Sequence, residues 1–404
     1  MPRQITIQER IALLALLICL PALAIDAMLP ALPEIGRDLD LADANRAQLI
    51  IIAFVIGLGI GQLFYGPLSD SFGRRLPIQV GLAVFLIGSL ICLFAETFVA
   101  MLAGRALQGV GAAGPRTVAV ALVRDNFSGA QMARIMSFVM AVFITVPALA
   151  PFVGQVVQTL AGWRMIFTVF LVMATVALVW FTLRHPETHP PEKRRALSPA
   201  NLAADARTTL SDKTTLSYTI ATGFIFAGFF GYITSAQQVF VTTYGKGAAF
   251  PGYFAVLAFA IGTASIFNAR YVTRFGERRL AHVALTALCL SAGAGFLIEW
   301  VDLALLPFPL FYTVMFGIMC AFGVLFGNMN AIAMAPMGRI AGIASAIIAS
   351  VSAIIAGVGG AIIGQAYDGT TLPLFAGFLV CSLAAAVVIT FGHAAPQTQE
   401  TPTP

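Results

Sequence analysis

Long apolar runs dominate this chain of 404 residues and leave it few ways to fold. A bilayer core about 30 Å thick needs about 20 apolar residues for each helix that crosses it. Only 10% of the residues are charged, well below the roughly 25% of a soluble domain. Apolar runs occur near 11–32, 47–68, 76–95, 98–123, 132–160, 162–183, 215–244, 248–272, 278–299, 303–335, 340–366 and 371–392. The sequence therefore predicts an all-α integral membrane protein with 12 transmembrane helices.

One long polar segment interrupts the apolar pattern. Residues 184–214 are rich in proline and charge and divide the chain almost in half. This composition predicts a cytoplasmic linker between two six-helix bundles, which cover 1–183 and 215–392. Residues 393–404 are expected to form a disordered cytoplasmic tail.

A short repeat supports this division into two bundles. The segment Phe72-Gly73-Arg74-Arg75 recurs 203 residues later as Phe275-Gly276-Glu277-Arg278. Each copy falls between the second and third predicted helix of its bundle. The repeat indicates that the bundles are pseudo-symmetric copies of a duplicated unit.

The positions of Lys and Arg predict the orientation, because basic loops stay in the cytoplasm. With the N-terminus inside, seventeen of the 23 basic residues lie on the cytoplasmic side, four lie outside and two lie within predicted helix 4. The first apolar run has features of a signal peptide, but the spans behind it favour an uncleaved helix. We therefore expect a multi-pass monomer in the lipid bilayer of a bacterial inner membrane, with both termini cytoplasmic. No basic patch with interleaved aromatic residues indicates a nucleic-acid partner.

Missing motifs exclude several classes of protein. No G-x-x-x-x-G-K-[ST] nucleotide site occurs, so transport would take its energy from a gradient, and neither H-E-x-x-H nor G-x-S-x-G is present. The five cysteines lie within apolar runs without C-x-x-C spacing, so no disulfide or metal site is expected. The acidic segment Asp38-Leu39-Asp40-x-x-Asp43 is the one candidate for an intramembrane metal enzyme, and it is more simply interpreted as a solvated turn. We predict that the protein is not an enzyme and needs no cofactor.

Ionisable residues deep within apolar helices are the sharpest functional signal, because each costs about 2.5–3.5 kcal/mol unless it faces protein or water. Three lie clearly inside predicted spans, namely Asp26, Arg105 and Arg116. At about 1.5 Å per residue, Asp26 lies about 9 Å from the outer end of helix 1, and Arg105 lies about 10 Å from that of helix 4. These two residues therefore lie at similar depth. Arg116 is about three turns further along helix 4 and shares the face of Arg105.

Two interpretations of Asp26 remain open. It forms a structural ion pair with Arg105, or it binds a proton on one side of the membrane and releases it on the other as water access changes. In the second case Arg105 assists release, and both residues line the transport cavity. Arg116 either lines the same cavity or extends to the cytoplasmic headgroups. With one carboxylate against two guanidinium groups, such a cavity would favour neutral or weakly acidic compounds over cations.

The C-terminal half offers polar rather than charged candidates. Tyr232 and Gln237 follow several phenylalanines in predicted helix 7, and Asn328 and Asn330 lie in predicted helix 10. Aromatic residues on an apolar helix usually face lipid or the core, whereas an amide in lipid would leave its hydrogen bonds unmade. We expect these four residues to line the substrate cavity.

The segment GPLSDSFGRRL places one acid and two arginines between predicted helices 2 and 3. One interpretation is a tight cytoplasmic turn that tolerates Gly, Asp and Arg. The other is a cytoplasmic gate, in which Asp70 binds free amides at a helix N-terminus and an arginine supplies its counter-charge. The gate residues would then be Gly66, Asp70, Gly73, Arg74 and Arg75.

The same segment, written G-x-L-S-D-x-x-G-R-R, resembles the signature loop of the major facilitator superfamily. The pattern R-x-x-Q-G-x-G, which begins at Arg105, resembles the helix 4 motif of that family, and Gly162-Trp163-Arg164 resembles the common start of its helix 6. The resemblance covers the whole chain. It implies two six-helix bundles that work by alternating access, with Asp70 beside the start of helix 11, near Ile340–Gly342.

Two further segments are similar to the bicyclomycin-resistance (Bcr/CflA) branch of the drug:proton antiporters. They are DAMLPALP, which begins at Asp26, and VPALAPFVG in predicted helix 5. In the second, Pro147, Pro151 and Gly154 recur at i, i+4 and i+7, so one helix face loses two backbone donors and gains a point of close approach. A bent, tightly packed helix follows from these residues. The resemblance implies in addition a gate against helix 8 or 11.

The resemblance also implies a function. It is proton-coupled efflux of small amphipathic drugs, as in a multidrug or antibiotic exporter, with a small-molecule drug and protons as partners and no cofactor. A metabolite exporter or a proton symporter of the same fold is the alternative. An intramembrane enzyme is a remote one.

Overall fold

The computed structural model describes residues 6–127, 129–194, 198–302 and 305–392. Over these residues the chain forms fourteen α-helices and no β-strand. They are α1 Ile7–Asp26, α2 Leu32–Asp38, α3 Leu49–Phe72, α4 Arg75–Leu93, α5 Phe98–Asn126, α6 Gly129–Ala161, α7 Arg164–Arg184, α8 Pro199–Ser211, α9 Lys213–Gln237, α10 Phe250–Phe275, α11 Glu277–Asp302, α12 Phe308–Met334, α13 Ala341–Gln365 and α14 Leu372–Gly392. Among the described residues, eleven segments are long and apolar enough to cross a membrane, and α6 contains a shorter apolar helix, Thr145–Ala161. The predicted all-α fold with 12 transmembrane helices is confirmed.

Successive spans run in opposite directions, so their connections fall at two ends of the molecule. We call one of them the basic end, which carries the connections at 73–74 and 185–194. The other, which carries those at 39–48 and 366–371, is called the opposite end.

The first span is interrupted beside its acidic residue. Because Pro30 has no N–H to donate to the carbonyl of Asp26, the regular helix α1 ends there. The chain continues through a short 3-10 turn, Leu29–Ala31, into α2, and the apolar segment extends to Asp38. The sequence predicts an end near residue 32. Asp26 therefore lies farther from the end of the span than predicted.

The polar segment at 184–214 contains a helix. α7 ends at Arg184 and α9 begins at Lys213, and between them Ser198 accepts a hydrogen bond from the backbone N–H of Asn201 (3.4 Å) at the start of α8. α8 packs against α13 and α9, both in the C-terminal half. The expected tail at 393–404 lies outside the described residues.

The two copies of the sequence repeat adopt the same local structure. α3 ends at Phe72 and α10 ends at Phe275, and each is followed by a glycine with positive φ, 92° at Gly73 and 77° at Gly276. Glycine adopts this conformation without steric cost, which makes it the usual residue after a helix end. The next helix, α4 or α11, starts within two residues. This equivalence supports a duplicated unit.

Small residues bring α3, α4 and α5 into backbone contact in the N-terminal half. A Cβ atom added at Gly109 of α5 would meet the backbone of Phe54 and Leu58 in α3, and one added at Gly111 would meet the backbone of Phe85 in α4. Close approach through small residues is how helices associate in lipid, where packing contacts replace the hydrophobic driving force. The three helices therefore form a closely fixed unit.

Aromatic side chains fill the C-terminal half. Phe226 stacks on Phe326 with ring centroids 4.4 Å apart, and Phe229 packs edge-on against Phe322 at 5.6 Å. Such pairs contribute about 0.5–1.5 kcal/mol beyond the area they bury. The contacts join α9 to α12, so these phenylalanines of predicted helix 7 belong to the interior of this half.

Two helix pairs join the halves, α3 with α13 and α6 with α10. We call the α3–α13 contact the seam. Along it Gly59 lies against Ala353 and Ser350, and Gly357 lies against Ile56. Because glycines face the partner helix from both sides, the two backbones approach closely over several turns.

The variant Gly109→Ala tests the packing of the N-terminal half. Its methyl group would meet the backbone of α3, and overpacking of this kind costs about 1–3 kcal/mol. We expect the purified protein in detergent to unfold at a lower midpoint temperature. The matched control is Gly317→Ala in α12, because no atom lies within 4 Å of a Cβ added there. Equal midpoints for the two variants would contradict the close packing of α3 and α5.

Candidate functional site

Asp26, at the end of α1, is a buried carboxylic acid. It is 5% exposed, and no hydrogen bond or ion pair joins its side chain to another described residue. Helix α9 of the other half contacts the 3-10 turn that follows Asp26. Tyr232 of α9 lies within range of electrostatic interaction with the carboxyl group. Asp26 is therefore positioned where the two halves meet.

Tyr232 presents a second unsatisfied group from the C-terminal half. Its ring is buried and stacks on Phe254 with centroids 5.9 Å apart. Its hydroxyl has no hydrogen-bond partner in the described part of the chain, and leaving a buried polar group unpaired costs about 1–3 kcal/mol. A carboxyl group and a phenol from opposite halves, both unsatisfied, form the centre of the candidate site.

Arg105 of α5 is fully buried and does not pair with Asp26. Its Nε donates to the carbonyl of Ile50 (3.1 Å), and its Nη2 donates to the carbonyl of Ala24 in α1 (3.0 Å). Ala24 precedes Asp26 by two residues, or about 200° around the helix axis. Arg105 therefore reaches the level of Asp26 on a different face of α1, and the ion pair of the first interpretation does not form.

A network around Arg105 holds the N-terminal half together. Its Nη1 donates to Oε1 of Gln108, Gln108 donates in turn to Ser89 of α4 (2.7 Å), and the guanidinium lies 4.6 Å from the ring centroid of Phe54. Four helices, α1, α3, α4 and α5, meet at this one side chain. Because Arg105 is 0% exposed, it stabilises the interior of its half and does not line an open cavity, contrary to the expectation.

Arg116 lies eleven residues further along α5 and is partly exposed. It forms no hydrogen bond or ion pair with the described residues. Both interpretations of Arg116, as a residue of the cavity or as one that extends to the headgroups, stay predictions. The expected preference for neutral compounds would thus depend on the partly exposed Arg116 without Arg105.

The expected amides of the C-terminal half differ in their surroundings. Asn328 is buried and exchanges two hydrogen bonds with Asn268 of α10 (2.8 and 3.2 Å), so it links two helices and is not a cavity group. A partner on another helix is not visible in the sequence. Asn330 is exposed, and Gln237 is mostly buried at the end of α9.

Arg74 is the centre of a charged cluster at the basic end. Its Nη1 donates to Oδ1 of Asp70 and to Oγ of Ser69, both at 2.7 Å, and its Nε donates to Oδ2 of Asp125 (2.8 Å). Burial favours the neutral guanidinium, but hydrogen bonds to Asp125 and Asp70 outweigh it and raise the pKa of Arg74 above its usual value. Asp125, at the end of α5, is a partner that sequence analysis misses.

Glu187 completes the cluster from the segment after α7. Its carboxylate accepts hydrogen bonds from the backbone N–H groups of Arg74 (2.9 Å) and Arg75 (3.1 Å), which start α4. Burial raises the pKa of Glu187, but hydrogen bonds from four backbone N–H groups lower it by more. The pKa of Glu187 therefore lies below its usual value. Two reasons favour glycine at position 73. Its φ is positive, and a Cβ atom there would lie 2.5 Å from the carboxylate of Glu187.

Asp70 also faces the other half of the molecule. Its Oδ2 lies 3.1 Å from the position of a Cβ on Gly342, at the start of α13. One turn earlier, Gly66 would place a Cβ 3.4 Å from that of Ala346. The acid therefore lies beside the start of α13, where the resemblance implies it. The motif connects the seam to the charged cluster, whereas the side chain of Arg75 donates to the carbonyl of Thr182 (2.7 Å) within its own half.

Helix α6 carries Pro147 and Pro151 and places Gly154 directly against α1. A Cβ at Gly154 would overlap the carbonyl of Ala27, the residue after Asp26. The same helix packs against α10 of the other half. The point of close approach thus lies beside the candidate proton site, and the gating role of α6 stays a prediction.

Glu299 of α11 is a second buried acid that sequence analysis misses. It is 5% exposed, and its Oε1 accepts hydrogen bonds from the hydroxyl of Thr371 and from the N–H of Leu306 (3.2 Å). The predicted span ends at residue 299, which places the acid at the membrane surface. The apolar residues on both sides of it in FLIEWV are the signal that the helix continues. Through these partners Glu299 joins the loops that follow α11 and α13.

Comparison with known proteins gives a family match, and relatives and solved structures that include the following. The Major Facilitator Superfamily matches residues 14–361. "Uncharacterized MFS-type transporter YdgK" of Bacillus subtilis is 32% identical over 353 residues, 84% of this chain and 85% of that protein. "Bicyclomycin resistance protein homolog" of Haemophilus influenzae is 30% identical over 367 residues, 89% of this chain and 90% of that protein. A crystal structure of a D-xylose-proton symporter shares the fold, with a TM-score of 0.73 at 15% identity over 95% of this chain and 96% of that one.

The variant Asp70→Asn tests the basic-end cluster as a gate. A partly exposed ion pair contributes up to about 1 kcal/mol, so we expect a cysteine at Ala346 on the seam to react about twofold to fivefold faster with a thiol reagent. The matched control is Asp38→Asn, because Asp38 pairs with Arg164 at the opposite end (3.3 Å). Unchanged reactivity in Asp70→Asn would reduce the motif to a turn.

Proposed function

The chain belongs to the Major Facilitator Superfamily, and we propose that it exports small amphipathic drugs in exchange for protons across a bacterial inner membrane. The name of the Haemophilus relative, a bicyclomycin resistance protein homolog, supports drug export. The basic end then faces the cytoplasm, because its connections carry most of the loop arginines. Both termini lie on that side.

The observation that carries this proposal is the isolation of Asp26. A carboxylate that is buried without a cation or hydrogen-bond donor is costly, and Asp26 has neither among the described residues. A carboxyl group paired with Arg105 would keep one charge state throughout. The charge state of Asp26 depends instead on whether water reaches it, which is the property that a proton carrier needs.

The cycle follows from this dependence. Asp26 binds a proton while the site is open to the outside and releases it while the site is open to the cytoplasm. The drug binds in the second state and leaves in the first. Tyr232, the unsatisfied phenol of the other half, is positioned to donate a hydrogen bond to the carboxylate or to the drug. The two halves thereby respond to the same proton.

The charges also bear on the class of drug. Arg105 is enclosed, so Asp26 and the partly exposed Arg116 are the deep charges left to face a substrate. Their charges cancel when Asp26 is ionised and leave one positive charge when it is protonated. Neutral compounds with hydroxyl or amide groups therefore fit the site better than permanent dications do.

The variant Asp26→Asn tests the coupling. We impose a pH gradient across inside-out membrane vesicles and measure the uptake of a fluorescent neutral drug. With Asp26→Asn we expect no gradient-driven accumulation, because the amide cannot carry a proton. Exchange of labelled for unlabelled drug without a gradient should persist, since it needs no proton transfer.

The matched control is Glu299→Gln, which neutralises the other buried acid. Its Oε1 already binds groups of two loops, and its role is to join those loops, so gradient-driven uptake should remain. Near-normal uptake by Asp26→Asn would place the proton site elsewhere. Loss of uptake in both variants would show that Asp26 is not special among the buried acids.

A further inference from the structure

Neutral amides link the two halves at the opposite end. In the described part of the chain, five hydrogen bonds cross from the segment Ala44–Gln48 to the C-terminal half, and none of them involves a charged side chain. The bonds are made by four side chains, Asn45, Gln48, Gln238 and Gln365. We call these four residues the amide clasp.

Asn45 is the centre of the amide clasp. Its Nδ2 donates to the carbonyls of Gln365 (3.2 Å) and Tyr367 (2.8 Å), and its Oδ1 accepts from Nε2 of Gln238 (2.8 Å). Gln365 donates in return to the backbone carbonyl of Asn45 (2.6 Å). Because backbone carbonyls only accept, this arrangement fixes which way the Asn45 amide points. Every donor and acceptor of that amide is used across the interface.

Gln48 adds the fifth bond and lies directly on α13. Its Nε2 donates to Oε1 of Gln238, and its own Oε1 occupies the place that a side chain on Gly364 would need. Thr234 of α9 approaches the same point, with its hydroxyl 2.8 Å from a Cβ on Gly364. The clasp therefore covers the place where α3, α9 and α13 meet.

The C-terminal half holds its side of the clasp in place. Gln238 begins a π-helical turn, Gln238–Thr243, at the end of α9. Thr243 shares a hydrogen bond with the hydroxyl of Tyr367 (2.8 Å) and donates to the carbonyl of Gly369 (3.0 Å). A π-helical turn inside a helix is uncommon and is found mainly at functional sites.

The position of the clasp explains what it does. Asn45 and Gln48 precede α3, and Gln365 is the last residue of α13, so the clasp closes the seam at the opposite end. Tyr232 of the candidate site lies six residues before Gln238 on the same helix, about 9 Å at ~1.5 Å per residue. The clasp therefore lies between the candidate site and the opposite surface.

We propose that the amide clasp is the gate that closes the candidate site toward the opposite end, and that its hydrogen bonds exchange for water when the site opens there. The proposal depends on the alternating access of the proposed function but not on the drug or the proton. Hydrogen bonds between neutral amides suit such a gate, because water replaces them at modest net cost. Asp43 and Asp368 flank the clasp, but each bonds within its own turn, to Asn45 N–H and to Thr370.

Cysteine accessibility tests the gate without substrate or pH gradient. The reporter is Thr234→Cys, in protein whose five native cysteines are replaced by alanine, and it is exposed to a membrane-impermeant thiol reagent from the opposite end. In Asn45→Ala and in Gln48→Ala we expect labelling to rise roughly tenfold, since cross-half hydrogen bonds are lost. Asn328→Ala is the matched control, because it breaks an amide pair inside one half, and its labelling should stay at the parent value.

A crosslink gives the reverse measurement. Asn45→Cys together with Gln365→Cys, oxidised to a disulfide, should protect the reporter from labelling, and a reductant should restore access. Unchanged labelling in both alanine variants, with protein that elutes as a single folded species, would overturn the gate. So would full labelling of the crosslinked protein. Because the readout uses no drug and no gradient, a failed Asp26→Asn test leaves this result unaffected.

Discussion

The cost of burying a charge in a membrane protein is the constraint from which the rest of this structure follows. For Arg105 this cost is offset by backbone carbonyls, an amide and an aromatic ring. The network around Arg105 is therefore where four helices join. Glu299 is paired at one oxygen: its Oε1 accepts from a hydroxyl and an N–H of two loops, while its Oε2 has no hydrogen-bond partner among the described residues. For Asp26 no hydrogen bond or ion pair with the described residues offsets the cost. The paired groups hold the architecture, and Asp26, which has no such partners among the described residues, is the acid that we propose responds to water and protons.

The two ends of the seam carry different chemistry. At the basic end, Arg74 gathers two carboxylates, and a third caps the start of α4. Salt weakens exposed charged pairs, and it weakens partly buried ones such as these much less. At the opposite end, Asn45 and its amide partners carry no charge, so neither salt nor protonation changes their attraction.

Periodicity and composition were enough to predict the helices, because the length of an apolar run is a property of the chain alone. They also placed Asp26 and Arg105 at one level. The pair failed because Arg105 binds at Ala24, and a shift of two residues turns a side chain to another face of the helix. Asn328 was misjudged for a related reason: its partner, Asn268, lies on a different helix. Contacts between distant segments depend on which helices are neighbours, and that information is absent from local patterns. Asn45 and Gln48 showed nothing unusual in sequence for the same reason.

The anchored connection between the halves sets a mechanical limit. Glu187 is bound to the N-terminal half through Arg74 and Arg75, and α8, which follows Ser198, packs on the C-terminal half. The tether between the two anchors is therefore the stretch from Glu187 to Ser198, eleven residue-to-residue steps, whatever the full length of the polar segment. Fully stretched, a chain of that length reaches about 40 Å at most. This distance, and not the length of the segment at 184–214, limits how far the two attachment points can separate.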